Sequence, residues 1–558
     1  MDDHPQGATS LRRGPSPEVV LALACLPVFI GALDLTIVSA VLPTVIFDLK
    51  IPIQTELDDA TWMVTGYLLS YAVSMTFMGR VSDILGRRRV FLICLAVFFF
   101  GSWWVAASDG LPAQIATGLA RRMTGDRPDH SLMVLYTLIS GRVVQAFGAG
   151  AMVPVSMALA CDLFPPHRRV AALGLVGAVD TAGWVLGHLY GGIMVQYVPW
   201  QVLFWLNLPV TALVFVAIWW ALRGARQTLA TGGVDWLGTG LLSLGLIALN
   251  VGLAANQSTA TAPLGLPTQS PPYVAPLLIA AGVAFVLFVW VEQRAEHPLL
   301  NLRLFADRIV ATATFTNLLI GFCMMVGLVS VPLLVNAVGG RTNAEAALVS
   351  GYLLAAFTIP MALTALLGGL LAQRAGYRRT AVSGLALALC GFLAISRWQP
   401  EMARNAVEWL ARSLAGGGSP AHLWWDLLRM VLGLALAGSG LGVTMAPIAA
   451  AVINAAHASE RGGASALVII LRLIGMAVCL STMTTYGLRR SAALTQRALT
   501  GVALPDGQAL ADLVQRVACQ VTDEMALFAA AVCLLALAAA LWLKPRASQA
   551  LSAPDIKT

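Results

Sequence analysis

The chain of 558 residues contains only three lysines, Lys50, Lys544 and Lys557. None follows a glycine, so the Gly-Lys-Ser/Thr turn that cradles nucleotide phosphates is missing, and an ATP-driven pump on this chain alone is excluded. Charge of either sign is scarce: 11% of residues are charged, against roughly 25% in a soluble protein. With 58% hydrophobic residues and a mean hydropathy of +0.78, the bulk of the chain has no water-facing surface to populate. The seven histidines are scattered without metal-ligand spacing, and no nucleophile–base pair stands out, so neither a metal site nor an enzyme is expected. Seven of the eight cysteines lie within apolar runs. Only Cys519 falls in a polar stretch, which leaves no loop disulfide to expect. Arg12 and Arg13 precede an apolar run with no small-residue cleavage site after it, so that run reads as a retained helix.

What is present is a series of apolar runs, fourteen in all, centred near residues 31, 70, 98, 146, 181, 211, 245, 283, 322, 358, 388, 440, 475 and 534. The segment Gly79-Arg-Val-Ser-Asp-Ile-Leu-Gly-Arg-Arg-Arg89 lies between the second and third. A weaker copy, Gly369-Leu-Leu-Ala-Gln-Arg-Ala-Gly-Tyr-Arg-Arg379, lies between the tenth and eleventh. The copies align at a single offset, so the chain reads as a duplicated helical bundle with two extra spans between the halves, the design of a secondary transporter. The expected layout is a cytoplasmic tail (1–16), a first six-helix bundle (17–224), two additional helices (225–300), a second six-helix bundle (301–545) and a second tail (546–558). With the N-terminus inside, 20 of the 35 Lys and Arg residues fall on one side, mostly in short loops. That bias places both termini in the cytoplasm and explains the net charge of +7 without a nucleic acid.

A gradient-driven transporter needs ionisable groups in the membrane, and each costs roughly 2.5–3.5 kcal/mol even on a lenient scale. Asp34 falls near the middle of the first span and Arg142 near the middle of the fourth. Asp180 falls about eleven residues into the fifth, roughly 16 Å deep, and Arg472 lies within the thirteenth. A carboxylate alternating between solvent and an arginine-paired state would load and release a proton. Asp34, Arg142 and Asp180 are therefore the proton-coupling candidates, with a static Asp34–Arg142 ion pair as the alternative. Asp180, Trp184, Tyr190 and Arg472 are the substrate-cavity candidates. Gly183, Gly187 and Gly191 recur every four residues and leave a flat face for close helix approach, with His188 among them. Three stretches on the outer side, 109–131, 400–415 and 505–523, have amphipathic helical spacing. They read either as helices lying at the membrane surface or as packed caps. Residues 256–273 read as a linker.

With these residues in hand, the chain resembles the major facilitator superfamily, specifically its fourteen-helix drug:proton antiporters, over about residues 17 to 545. Gly79, Asp83, Gly86, Arg87 and Arg88 match the loop signature between helices two and three, with Ile84 where a basic residue is usual. Leu33-Asp34 through Pro43 resembles the first-helix motif, and Arg142 through Gly150 the fourth-helix motif. The resemblance links Asp34 and Arg142 to proton coupling. Gly183 through Gly192 resembles the antiporter motif, with His188 where the family has proline. Val234-Asp235-Trp236-Leu-Gly238 resembles the entry to the extra helix pair, and Leu471-Arg472-Leu-Ile-Gly475 a thirteenth-helix signature.

The resulting expectation is a multi-pass protein of the cytoplasmic membrane, acting as a monomer. It would export hydrophobic or amphiphilic small molecules, including drugs, by proton antiport, with no cofactor beyond the proton gradient. The alternative is export of lipids or long amphiphiles to the outer leaflet or to an extracytoplasmic lipid-carrier protein, because Asp180-Thr181-Ala182 and the long outer stretches look somewhat like lipid-exporting members. A third reading, a non-transporting sensor or partner-dependent subunit, has no use for the buried Asp34 and Arg142.

Overall fold

The computed structural model describes residues 15–49, 57–124, 129–195, 197–223, 233, 235–258, 272–296, 305–337, 343–414, 420–455, 461–499 and 507–543. The two expected tails therefore lie almost wholly outside the described residues, as do 259–271 of the expected linker. All regular structure among the described residues is helical, apart from a short 3-10 turn. The helices, in chain order, are α1 (Pro17–Asp48), α2 (Leu57–Leu85), α3 (Arg87–Ala106), α4 (Leu111–Thr124), α5 (His130–Gly150), α6 (Met152–Leu163), α7 (Pro166–Met194), α8 (Trp200–Ala221) and α9 (Trp236–Ser258). They continue with α10 (Val274–Glu292), α11 (Arg308–Ala337), α12 (Asn343–Ala375), α13 (Tyr377–Ile395), α14 (Pro400–Leu414), α15 (Ala421–Ile453), α16 (Arg461–Leu499) and α17 (Gly507–Leu541).

Ten helical segments among the described residues are long and apolar enough to cross a membrane, and shorter apolar runs occur in α9 and α16. Each of the fourteen expected centres falls in a different long helix. The remaining three helices are α4, α6 and α14. α6 continues α5 past a local break at Ala151, where Pro154 cannot donate to the carbonyl of Gly150.

Two groups of helices pack internally and then against each other. α1 packs on α7 and α8, α3 on α5 and α8, and α2 on α5; in the second group α12 and α13 pack on α15, and α11 and α13 on α17, with α11 also on α16. The α2–α5 contact is stitched by small hydroxyls. Ser70 Oγ donates to the Val143 carbonyl (2.6 Å) and Ser74 Oγ to the Phe147 carbonyl (2.5 Å). The groups meet where α7 crosses α12 and α15, and where α16 touches α2 and α6. α9 and α10 pair with each other, and α9 rests on both α2 and α16, so the extra pair sits at the seam.

The duplicated loops share one backbone device. Gly86 (φ 93°) and Gly376 (φ 83°) take the left-handed region immediately before α3 and α13, where a side chain would be strained. These loops mark the arginine-rich end of the molecule. There the two groups are in contact, since a Cβ on Gly369 of α12 would lie 2.8 Å from the Val170 carbonyl of α7.

Two expectations change at the opposite end, and one open alternative is resolved. Residues 507–523 form no separate surface helix, because they are the first turns of α17. At about 1.5 Å per residue, α16 and α17 greatly exceed the roughly 30 Å of a hydrocarbon core, and a polar cluster ties them together. Arg490 donates to Glu524 from Nε (2.9 Å) and Nη2 (2.8 Å), and the Tyr486 hydroxyl donates to the same carboxylate (2.6 Å). Cys519 therefore lies on a helix and is buried, its thiol against the Trp398 carbonyl (3.3 Å). Of the two readings of 400–415, α14 takes the packed cap. Ala403, Ala406 and Val407 are buried, Asn405 bonds Asp426 of α15 (2.8 Å), and Arg404 pairs with Asp512 of α17 (3.6 Å). α4 keeps an open apolar face, at Leu111, Ile115 and Leu119, and the first turns of α17 leave Leu510 and Val514 exposed.

Candidate functional site: two buried ion pairs and a cavity between the bundles

Asp34 and Arg142 come together inside the first group, and both side chains are 0% exposed. Arg142 Nη1 lies 2.5 Å from Asp34 Oδ2, and Nη2 donates to the Asp34 backbone carbonyl (3.2 Å). Asn207 of α8 donates to the other carboxylate oxygen (2.9 Å). Arg142 also donates to Gln145 Oε1 (2.7 Å), Gln145 to Ser102 Oγ (2.9 Å), and Ser102 to the Phe98 carbonyl (2.8 Å). The Tyr67 ring centroid stands 3.9 Å from the guanidinium carbon, and the Tyr67 hydroxyl donates to the Gly31 carbonyl (3.2 Å). A buried charge that is paired, hydrogen-bonded and stacked over an aromatic face is compensated on nearly every side.

The second pair is built differently. Asp180 of α7 meets Arg472 of α16, 292 residues later, through Oδ2 and Nη2 at 3.0 Å. This pair joins the two groups of helices. Its surroundings are soft: Met445 Sδ lies 3.8 Å from Arg472 Nη1 and 3.7 Å from Thr181 Oγ1, and the Trp184 indole stands beside the carboxylate. Asp180 Oδ1 is buried and receives no bond from Arg472.

A small cavity between the two groups of helices opens onto this pair. Asp180, Thr181 and Trp184 come from α7; Met324 and Leu328 from α11; Leu354, Thr358 and Met361 from α12; Arg472 and Met476 from α16. Its lining is largely apolar, and the three methionines supply adaptable walls. Tyr190 stands apart from it. Ten residues beyond Asp180 it has turned to another side of α7, where it packs against the cluster containing Ile37 and Trp200.

Gly183 and Gly187 do provide a close approach. A Cβ at Gly187 would overlap Thr36 Oγ1 and the Leu33 carbonyl, and one at Gly183 would crowd Ala32 and the Phe29 carbonyl. α7 thus seats α1, and with it Asp34, against its glycine face. Gly191 is buried on the same helix, and the side chain of His188 lies outside the described residues.

At the arginine-rich end Gly79 is buried, and Asp83 forms an ion pair with Arg87. Arg87 also donates to Ser82 Oγ (2.6 Å) and reaches Asp162 of α6 (3.4 Å). Arg88 points elsewhere, its guanidinium carbon lying 5.9 Å from the Trp219 ring centroid. In the second copy Arg378 and Arg379 are exposed, so only the first copy forms a buried network.

Sequence reasoning missed Asn207, Asp162 and Met445. A lone asparagine inside the sixth apolar run was a usable signal. Asp162 and Met445 carried none, because their roles depend on contacts between distant helices.

The Major Facilitator Superfamily signature matches residues 24–480. A triacylglyceride transporter of Mycolicibacterium hassiacum is 33% identical over 479 residues, covering 86% of this chain and 81% of that one. A probable triacylglyceride transporter of Mycobacterium leprae is 30% identical over 524 residues, covering 93% and 94%. Among solved structures, the human organic anion transporter MFSD10 (TETRAN) aligns with a TM-score of 0.51 at 14% identity, covering 93% of this chain and 100% of that one. The proton:xylose symporter XylE aligns with a TM-score of 0.51 at 12% identity, covering 92% and 94%. These structural likenesses speak to the fold alone. The multi-helix membrane architecture, the duplicated loops and the matched signature converge: the chain belongs to the major facilitator superfamily.

Proposed function

We propose that this protein is a proton-driven exporter of an acylglycerol-class lipid, working by alternating access in a fourteen-helix layout, with its arginine-rich end in the cytoplasm. This is the alternative of the sequence reading rather than its leading multidrug form. The observation that carries it is the commitment of Asp180 to Arg472. A cationic drug would need an uncompensated carboxylate in the cavity, whereas here the charge is already neutralised and the remaining walls are largely apolar. The triacylglyceride-transporting relatives support the same substrate class.

In this reading the Asp180–Arg472 pair latches the bundles together. Protonation of Asp180 removes the attraction and lets the bundles part, and deprotonation restores the latch. Asp34 and Arg142 form the second proton-responsive pair, seated beside the helix that carries Asp180. A triacylglycerol has almost no solubility in water, so an extracytoplasmic lipid-carrier protein or the outer leaflet would receive it.

The test is transfer of a fluorescent triacylglycerol and of a fluorescent cationic dye by proteoliposomes under an imposed pH gradient. Faster triacylglycerol transfer with no dye movement, lost in Asp180→Asn and in Asp34→Asn, is the expected result. Dye movement without triacylglycerol movement would restore the multidrug reading.

A further inference from the structure

Trp219 of α8 has two guanidinium neighbours. The Arg223 carbon lies 4.8 Å and the Arg88 carbon 5.9 Å from its ring centroid. α3 and α8 are packed neighbours, so the start of one and the end of the other bring these arginines to one place. Arg87, one residue away, is paired with Asp83 and Asp162. Arg88 and Arg223 have no carboxylate within ion-pair distance among the described residues, and Arg88 Nε is buried without a hydrogen-bond partner. The first turn of α3 holds three arginines and no acidic residue, and its cap, Gly86, contributes no side chain. This places positive charges on the positive end of the helix dipole, an arrangement that an anion offsets.

The same place lies at the edge of an apolar belt. Trp219 is 41% exposed and Trp220 54%, while Val216 and Leu213, one and two turns further into α8, and Ile93 of α3 are also open. Tryptophan beside arginine at the margin of a hydrocarbon-facing surface is the arrangement that meets phospholipid headgroups. We propose that Arg88 and Arg223, arranged about Trp219, bind the phosphate of an anionic phospholipid in the leaflet at the arginine-rich end. Free inorganic phosphate shares the headgroup chemistry but would leave the apolar side chains below uncovered, whereas an acyl chain covers them. This inference rests on the membrane placement proposed above but not on the transported substrate. The site adjoins the Asp83–Arg87–Asp162 network, so its occupancy would bear on the end at which the bundles are closed.

The test is binding to the delipidated full-length protein in detergent, read by native mass spectrometry and by thermal shift. The probes are dioleoyl phosphatidylglycerol, dioleoyl phosphatidylcholine and inorganic phosphate. Phosphatidylglycerol is expected to be retained in preference to phosphatidylcholine, with affinity falling about five-fold on Arg223→Gln and again on Arg88→Gln. Arg223→Lys should retain most of the binding, and Arg121→Gln at the far end should leave it unchanged. Arg223 is exposed, so its substitution leaves packing intact, and the lipid-free melting temperature verifies this. Equal retention of the two lipids, parent-like affinity in both Arg223→Gln and Trp219→Leu, or stabilisation by inorganic phosphate equal to that by phosphatidylglycerol would each overturn the proposal. A transport assay that fails with triacylglycerol would leave this binding result standing, so the two readings fail separately.

Discussion

The two membrane-buried ion pairs use the same residue types in opposite ways. Asp34–Arg142 lies within one group of helices and receives further bonds from Asn207 and Gln145 and an aromatic face from Tyr67. Asp180–Arg472 spans two groups, is joined through one guanidinium–carboxylate hydrogen bond with the Trp184 indole beside it, borders a cavity and rests against a thioether. Charge compensated by several partners resists separation, because each lost partner exposes a bare ion to a low-dielectric surround. The first pair therefore changes state only together with its whole shell. The second has fewer bonds to lose, so in the proposed mechanism it is the pair that a proton on Asp180 would open. The difference shows that position relative to the bundle seam decides how many partners an aspartate–arginine pair acquires.

The comparison is broken most directly at Asp34. Asp34→Leu leaves Arg142 buried without a counter-charge and should cost about 3–5 kcal/mol in thermal unfolding, with Asp34→Leu/Arg142→Leu recovering much of that loss. A small effect of the single change would mean that the pair is not the rigid one. Asn207→Leu removes one charged hydrogen bond from the same carboxylate and should cost about 2 kcal/mol, seen as a lower unfolding midpoint without loss of the helical circular dichroism. Asp180→Leu should cost less, about 1–2 kcal/mol, because Arg472 can turn toward the cavity. Its main effect should be on the equilibrium between bundle positions. Spin labels at Gln114 on α4 and Arg404 on α14 should report a shifted distance distribution in Asp180→Leu and an unchanged one in Asn207→Leu. The smallest effect belongs to Gly177, three residues before Asp180. No atom lies within 4 Å of a Cβ added there, so Gly177→Ala should stabilise by about 0.5–1 kcal/mol. A loss of stability instead would show that α7 needs freedom at that turn.

Much of this architecture was legible beforehand. Apolar runs of membrane length located the long helices, because a helix crossing hydrocarbon must be apolar along its whole length. The Gly86 and Gly376 loops revealed the duplication, because a left-handed residue before a helix strongly favours glycine. Asp34, Arg142, Asp180 and Arg472 stood out because charge is costly in such runs. The amphipathic stretches were less decisive. The spacing in 400–415 suits a membrane surface and a protein surface equally, and α14 buries its apolar face in the protein while α4 leaves its own open. At 505–523 the amphipathic pattern hid a continuous helix, because a helix leaving the membrane gains polar residues without ending.

The sequence by itself determined the class of the protein, its helices and the four membrane charges, since each follows from local composition and the cost of burying polar groups. Only the tertiary structure decided which aspartate takes which arginine. Pairing Asp180 with Arg472 depends on α7 and α16 meeting across the seam, and Tyr190 falls away from the cavity because of the angle at which α7 presents its faces. Local chemistry sets what each side chain costs to bury, and long-range packing alone sets which partner meets that cost.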